Sequence, residues 1–104
     1  MKLIMCSIHD SKASIYHKPM FFMNEAVARR AFQNIVNAPE TEIAKNPEDF
    51  TLMHVGEFDD ANGSINNFEA NISLGCALDY QREELPPVRI NPDDDSMTET
   101  KGTE

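Results

Sequence analysis

The chain has 104 residues, 40% of them hydrophobic, and a formal net charge of −9. That length supports one domain, and the acidity argues against generic binding to a phosphate backbone, although a local basic patch is still compatible with DNA contact. No apolar stretch approaches the ~20 residues of a membrane span, and no signal peptide is recognisable. We therefore expect a cytoplasmic protein without a membrane segment.

The first part of the chain predicts two strands and one helix. Residues 2–9 carry apolar side chains on both alternating sets, which is typical of a central strand covered on both sides or of an interface strand. Residues 15–16 could form a second strand, which Pro19 then interrupts. The clearest helix follows Asn24, a favourable N-cap, and Pro39 stops it.

The segment at 46–60, NPEDFTLMHVGEFDD, predicts a proline-started turn and then a strand over 51–58. Strict alternation places four residues on one face of that strand: Leu52, His54, Gly56 and Phe58. The Asn-Gly pair at 62–63 predicts a hairpin turn, from which 64–70 returns as the partner strand. Residues 72–80 are ambiguous between a strand and a short terminal helix.

These elements predict an α+β fold, with a small antiparallel or mixed β-sheet of about three to five strands packed against one main α-helix. Residues 1–84 would form this domain. From residue 83 onward the chain has seven acidic and two basic residues, so 85–104 is expected to be an acidic, disordered tail. Because a domain this small buries a modest core, we also expect a homo-oligomer.

The sequence contains no metal, cofactor or catalytic motif that we recognise. The candidate metal ligands are three histidines and two cysteines: His9, His17, His54, Cys6 and Cys76. They lack the close spacings of zinc sites, and both cysteines are expected to be reduced, buried thiols. Asp59 and Asp60 resemble the start of a calcium loop without its ligand spacing or closing glutamate. We therefore expect a protein that is not an enzyme and binds neither metal nor cofactor.

The best candidate for a binding site is a group of cations interleaved with aromatic residues: Lys12, Lys18, Arg29, Arg30, Tyr16 and Phe21. Single-stranded nucleic acid is bound by such groups, through stacking on the rings and neutralisation of phosphates by the cations. In the alternative interpretation Phe21 and Phe22 belong to the core, and the arginines only solvate a helix face.

Three stretches resemble one phage family: IHDSKA at 8–13, ARRAFQNIVNAPET at 28–41 and NPEDFTLMHVGEFDD at 46–60. The family is the small nonstructural protein of gokushovirus-type Microviridae, whose genomes are circular single-stranded DNA. The family's motifs are matched here by Asp10, Lys12, Ala13, Pro19, Phe21, Phe22, Arg30, Phe32, Pro47, Glu48, Asp49, Phe50, Leu52, Gly56, Phe58 and Asp59. The resemblance spans roughly residues 1–80, and its motifs are structural in type.

The resemblance implies a DNA-binding protein, likened to the microvirus packaging protein C. Such a protein would act in the host cytoplasm as a non-enzymatic accessory factor, when replication shifts to single-stranded genomes that enter procapsids. Its partners would be single-stranded or replicative viral DNA, or the replication complex on that DNA. The alternative is a self-associating module that binds replication or capsid proteins without touching DNA; the acidic surface and the two-sided first strand favour it.

Overall fold

Residues 1–82 are described by a computed structural model. Five strands are present in this part of the chain: β1 (Lys2–Asp10), β2 (Ile15–Tyr16), β3 (Met20–Phe22), β4 (Phe50–Asp59) and β5 (Ser64–Cys76). Two α-helices, α1 (Glu25–Val36) and α2 (Glu42–Lys45), and two 3-10 turns, Pro47–Asp49 and Ala77–Tyr80, complete it. The predicted domain boundary at residue 84 and the predicted acidic tail at 85–104 lie outside the described residues.

The predicted α+β class is wrong, because the described chain is mostly β. It forms a curled antiparallel sheet, and α1, with 12 residues, is the one described helix longer than four residues. β5 alone has 13 residues, because the ambiguous segment after residue 71 continues as strand to Cys76 instead of forming a terminal helix. Pairing of Ile72 with His54 and of Cys76 with Thr51 keeps that segment extended.

The sheet has the order β2–β1–β4–β5, and β3 also pairs with β1. β2 and β3 therefore share one edge, where the segment His17–Pro19 separates them. The His17 backbone N–H donates to the carbonyl of Ile8 (2.8 Å), whereas Pro19 has no N–H to donate. The predicted interruption of an edge strand by proline is confirmed.

Helix α1 begins and ends close to the predicted positions. The Asn24 side chain accepts a hydrogen bond from the Val27 N–H (2.9 Å), as expected of an N-cap. At the other end, the Asn37 side-chain amide donates to the Gln33 carbonyl (2.7 Å). The helix buries three side chains, spaced four residues apart, against the sheet: Ala28, Phe32 and Val36.

The core lies between α1 and one face of the sheet, which we call the packed face. It contains Cys6, Ile8, Ala28, Phe32, Val36, Ile43, Phe50, Leu52, Leu74 and Ala77. The Phe32 ring meets the Tyr80 ring edge-on, with centroids 4.9 Å apart. Cys6 is buried, as predicted, but Cys76 is only half-buried and its thiol donates to the Pro47 carbonyl (3.4 Å).

A β-bulge in β4 reverses part of the predicted alternation. Met5 pairs with Gly56 while the next residue, Cys6, pairs with His54, so Val55 is an extra residue with no partner in β1. Successive side chains of a strand point to opposite faces of the sheet, so one extra residue reverses the faces of those that follow. Gly56 and Phe58 therefore lie on the face opposite Leu52 and His54. The prediction that these four residues share a face is therefore wrong.

The same region of the sheet curls. Between the pairs His54–Ile72 and Gly56–Asn67, the single residue Val55 faces four residues of β5, Phe68 to Asn71. Bulges bend the strand that carries them, and here the Asn71 side-chain amide reaches the Tyr16 hydroxyl (3.0 Å). Since Tyr16 is in β2, this hydrogen bond joins the two edges of the sheet.

The turn after β4 is the predicted Asn-Gly hairpin. Gly63 has a φ of +77°, a conformation that glycine adopts without strain, and the Asn62 side chain accepts from the Ser64 N–H (2.9 Å). Asp59 accepts from the Ala61 N–H (3.0 Å) in the same turn. Among residues 1–82, no helix has the length and apolarity needed to cross a membrane.

Candidate nucleic-acid interface

The face of the sheet opposite α1, which we call the open face, lacks a covering helix in the described part of the chain. The strand register assigns it Leu3, Met5, Ser7, His9, Tyr16, Phe21, Thr51, Met53, Gly56, Phe58, Ile65, Asn67 and Ser73. None of these side chains carries a formal charge when histidine is neutral. Within this face Met5 and Ser7 are buried, whereas Tyr16, Phe21 and Ile65 are exposed. Large apolar side chains exposed together on one face mark it as the candidate binding surface.

Aromatic rings pair on the open face. Phe21 and Phe58 have ring centroids 5.4 Å apart, and the corresponding distance for His9 and Tyr16 is 4.6 Å. Phe21 and Tyr16 keep 46% and 47% of their surface exposed. In each pair, therefore, one side of the exposed ring contacts the neighbouring ring, and its other side is available to a ligand.

The alternation of β3 explains why Phe21 is exposed although Phe22 is not. Phe22 pairs with Ile4 and packs against the core, whereas Phe21 pairs with Met5 and lies on the open face. The core interpretation therefore holds for Phe22, whereas Phe21 is an exposed ring.

A groove of about 280 Å³ crosses the open face where the sheet curls. Tyr16 and Pro19 form one wall, Asn67 and Asn71 the other, and the buried Met5 lies in the floor. Asn71 and Tyr16, which both line the groove, are joined by a hydrogen bond (3.0 Å).

The two predicted lysines lie on the β2 side of the sheet. Lys12 is exposed in the turn after β1, where its backbone N–H and that of Ala13 donate to the Asp10 carboxylate (3.0 and 3.2 Å). Lys18 is exposed between His17 and Pro19, two residues of the groove wall. Of the four predicted cations, Lys12 and Lys18 are therefore the two that lie at the same edge of the sheet as Tyr16.

Arg29 is held in a network on the packed side. Its guanidinium pairs with Glu25 (3.1 Å) and donates to the Leu74 carbonyl and to the Tyr80 hydroxyl (both 2.9 Å). The hydrogen bond to Glu25 raises the pKa of Arg29 above its ordinary value, so the group is always charged. Arg29 thus fastens α1 to the end of β5.

The six predicted DNA-binding residues do not form one patch. Tyr16 and Phe21 lie on the open face and Lys12 and Lys18 on its β2 side, whereas Arg29 is bound on the packed side. Arg30 is exposed on α1, the helix that covers that packed side. Whether any of these residues binds DNA stays a prediction.

Sequence reasoning missed Phe58 and Asn67 as parts of the open face, and Asn71 as a residue that lines its groove. Phe58 was assigned to the side of Leu52 because the alternation was taken to continue through Val55. Gly56 was the available signal, since an isolated glycine within a strand indicates a bulge or a close backbone approach. The positions of Asn67 and Asn71 follow from the curl of β5, which has no local signature.

The candidate metal ligands are dispersed over the fold. Within residues 1–82 no group of three or more His, Cys, Asp or Glu side chains could hold a metal ion together. The His54 ring contacts the Gly56 carbonyl (3.0 Å) and lies edge-on to Phe68, with centroids 4.7 Å apart. Burial raises the pKa of the Cys6 thiol to about 11.

A comparison with known protein families identifies a family that covers most of the chain. The family model described as phage ORF5 protein matches residues 3–80, which is most of the chain. No curated protein and no solved structure shows significant similarity to it.

Proposed function

The chain belongs to the phage ORF5 protein family, and from this membership we propose that it is a non-enzymatic accessory protein that binds single-stranded viral DNA on its open face. Its role is in single-stranded DNA synthesis and genome packaging of gokushovirus-type phages, in the host cytoplasm. The phage family supports the setting, and the motifs that resemble the small nonstructural proteins of Microviridae support the type of phage.

The proposal rests on two exposed aromatic rings, Phe21 and Tyr16, on a sheet face without charged side chains. Each ring packs against a neighbouring ring. Base stacking on an aromatic side chain contributes about 1–3 kcal/mol per base and is available to every base type. A sheet with helices on one face and aromatic residues on the other is also the platform on which one common class of RNA-binding module stacks bases, which is an analogy of architecture alone. Phe21 and Tyr16 are the stacking residues.

Phosphate contacts come from the β2 side of the sheet. Lys18 precedes Pro19, a residue that lines the groove, and Lys12 is a second exposed cation on that side, whereas Arg30 lies on α1 across the sheet and does not contribute. Arg29 contributes little, because its guanidinium is already engaged by Glu25, Leu74 and Tyr80. With so few cations on a chain of net charge −9, binding is weak at physiological salt and depends more on stacking than on phosphate neutralisation.

A titration of labelled ten-nucleotide single strands, followed by fluorescence anisotropy at low salt, tests the proposal. We expect Phe21→Ala to lower the affinity roughly 5- to 150-fold, which corresponds to the loss of one stacked base. Phe21→Leu keeps an apolar side chain but removes the aromatic ring, so it distinguishes stacking from apolar contact. We expect it to lose most of the affinity that Phe21→Ala loses. The control is Met23→Ala, because Met23 is also an exposed apolar side chain but follows β3 outside the sheet.

Salt dependence provides a second readout. For single strands the slope of log affinity against log salt is about −0.7 per neutralised phosphate, so Lys18→Ala should reduce it by about that amount. Duplex DNA of the same length should bind less tightly, because its bases are not free to stack on Phe21 or Tyr16. Absence of binding to any single strand at low salt would refute direct DNA contact.

A second candidate function, self-association in complexes with replication or procapsid proteins, is favoured by the exposed edge of β5. This strand has 13 residues and only one charged side chain, Glu69, and it leaves Ile65 and Ile72 exposed. A long edge with so few charges is prone to pair with another strand, and antiparallel pairing with a second copy gives a symmetric dimer.

Exposed isoleucines on the two edges allow a matched test of self-association. Ile72→Lys on β5 should shift the sedimentation of a dimer towards that of the monomer, whereas Ile15→Lys on β2 should not. Ile72 and Ile15 have exposed fractions of 50% and 53%, and both variants change the net charge equally. A wild-type protein that stays monomeric at high concentration would contradict this candidate.

A further inference from the structure

We infer that the groove between Tyr16 and Asn67 is a pocket for one unpaired nucleobase, in which the Asn67 side-chain amide hydrogen-bonds the edge of the base. The inference rests on the proposed function, because the base is part of the bound strand. The rings of the open face stack on every type of base. The pocket adds a second contact, to the edge of one base.

The shape of the groove fits a flat, partly apolar ligand. Its floor at Met5 is buried and its Tyr16 wall is aromatic, and both are surfaces on which a base packs well. The buried hydroxyl of Ser7, which also lines the groove, is already satisfied, because it donates to the His17 carbonyl (2.6 Å). The groove is thus apolar at its base, and its walls carry the polar groups: Asn67 and Asn71 on one side, and His17 and the Tyr16 hydroxyl on the other.

Hydrogen-bonding capacity is available on the Asn67 side. Within residues 1–82 the Asn67 side chain makes no hydrogen bond, so both its N–H2 donor and its oxygen acceptor can reach a ligand. The amide of Asn71 donates to Tyr16, which leaves its oxygen as a further acceptor. An asparagine amide pairs a donor and an acceptor, which matches the N6–N7 edge of adenine and also the free Watson–Crick edges of other unpaired bases; adenine is the base with which we test the pocket.

The charges around the groove permit a polyanion to pass. Residues 1–82 include eleven acidic side chains, yet no aspartate or glutamate lines the groove. Lys18 lies between His17 and Pro19, both of which line it. A strand whose base enters the groove therefore meets no carboxylate among the lining residues, and the exposed Lys18 is adjacent in sequence to two of them.

Adjacent asparagines provide the decisive comparison. Asn67 lies on the open face opposite Gly56, whereas Asn66 pairs with Glu57 and points to the other side of β5. Both are exposed, so Asn67→Ala and Asn66→Ala remove the same chemical group from the same strand. We expect Asn67→Ala to weaken binding of ten-nucleotide oligo(dA) by roughly 5- to 150-fold and Asn66→Ala to leave it within about twofold.

Two further ligands identify what the pocket recognises. Any difference in affinity between oligo(dA) and oligo(dT) that the wild type shows should vanish in Asn67→Ala, and a difference that persists in this variant would overturn recognition by the Asn67 amide. Free dAMP should compete only at concentrations far above those of the strand, because it lacks the stacking contacts at Phe21. Competition by dAMP at equal concentration would overturn the assignment to a strand-borne base.

Failure of this inference is distinguishable from failure of the proposed function. If Phe21→Ala weakens binding but Asn67→Ala behaves as Asn66→Ala does, the pocket is refuted while DNA binding by the open face stands. If the wild type binds no oligonucleotide at low salt, both are refuted. Circular dichroism of each variant excludes loss of fold as the cause.

Discussion

Replacement of Gly56 by alanine should destabilise the sheet more than any other single methyl addition discussed here. A Cβ atom at position 56 would lie 2.4 Å from the Asn66 carbonyl oxygen and 2.9 Å from the Met5 side-chain methyl. Met5 can move its flexible end, but the carbonyl belongs to the backbone of β5. Relief of the contact therefore requires β4 and β5 to separate where Gly56 pairs with Asn67 and Glu57 with Asn66.

The size of the effect follows from that geometry. Overpacking of a well-packed site costs about 1–3 kcal/mol, and the immovable partner places Gly56→Ala at the upper end, near 3 kcal/mol. In a domain of this size each 1 kcal/mol shifts Tm by about 4–8 °C, so the melting temperature should fall by roughly 12–24 °C. Urea unfolding followed by circular dichroism measures the free energy directly.

Gly63→Ala is the control for this experiment. Gly63 has a φ of +77° and no heavy atom within 4 Å of an added Cβ, so its substitution adds conformational strain without a collision. That strain amounts to about 1–2 kcal/mol. If Gly56→Ala were no more destabilising than Gly63→Ala, the close approach of β4 and β5 at the bulge would be refuted.

Three further predictions test other parts of the molecule. Arg29→Lys should lower the unfolding free energy by about 1 kcal/mol while DNA affinity stays constant, because one arginine nitrogen binds Glu25 and another binds Leu74 and Tyr80, whereas lysine has a single nitrogen; the same substitution at Arg30 should leave stability unchanged. Asn37→Ala removes hydrogen bonds to Gln33, Tyr80 and Arg82, so hydrogen exchange should report faster opening at the end of α1, and equal protection in both proteins would contradict this. The pKa of Cys6 is raised to about 11 from an ordinary 9.0, so the folded state holds the thiol proton more tightly than the unfolded state does. The free energy of unfolding should therefore fall as pH rises from about 9 to 11. In Cys6→Ala this fall between pH 9 and 11 should be absent.

Local signals in the sequence located most of the elements. Asn24 and Pro39 bracket α1, Pro19 interrupts the edge, and Asn62-Gly63 makes the hairpin, because each of these residues acts through its own backbone or an immediate neighbour. The predicted α+β class failed because strands dominate the described chain, and the length of β5 in particular was not predicted: the local sequence leaves residues 72–76 open between strand and helix, since Gly75 weakens both interpretations. Only the pairing with β4, a long-range contact, keeps these residues extended.

The candidate site was less accessible to prediction than the fold. Tyr16 and Phe21 were identified from composition, but their common face with Phe58 depends on a bulge at Val55 that alternation alone does not reveal. Arg29 was grouped with Arg30 because they are adjacent in sequence. In the structure, Leu74 and Tyr80, more than forty residues away, give Arg29 a different role.

The bulge at Val55 also makes the character of a whole surface depend on one codon. Without that residue, the outer half of β4 would rotate by one pleat position. Gly56 and Phe58 would then turn towards α1, while the carboxylates of Glu57 and Asp59 would turn towards the aromatic rings. An in-frame deletion of one amino acid would thereby convert a neutral surface into an acidic one, while leaving the composition of every other strand untouched.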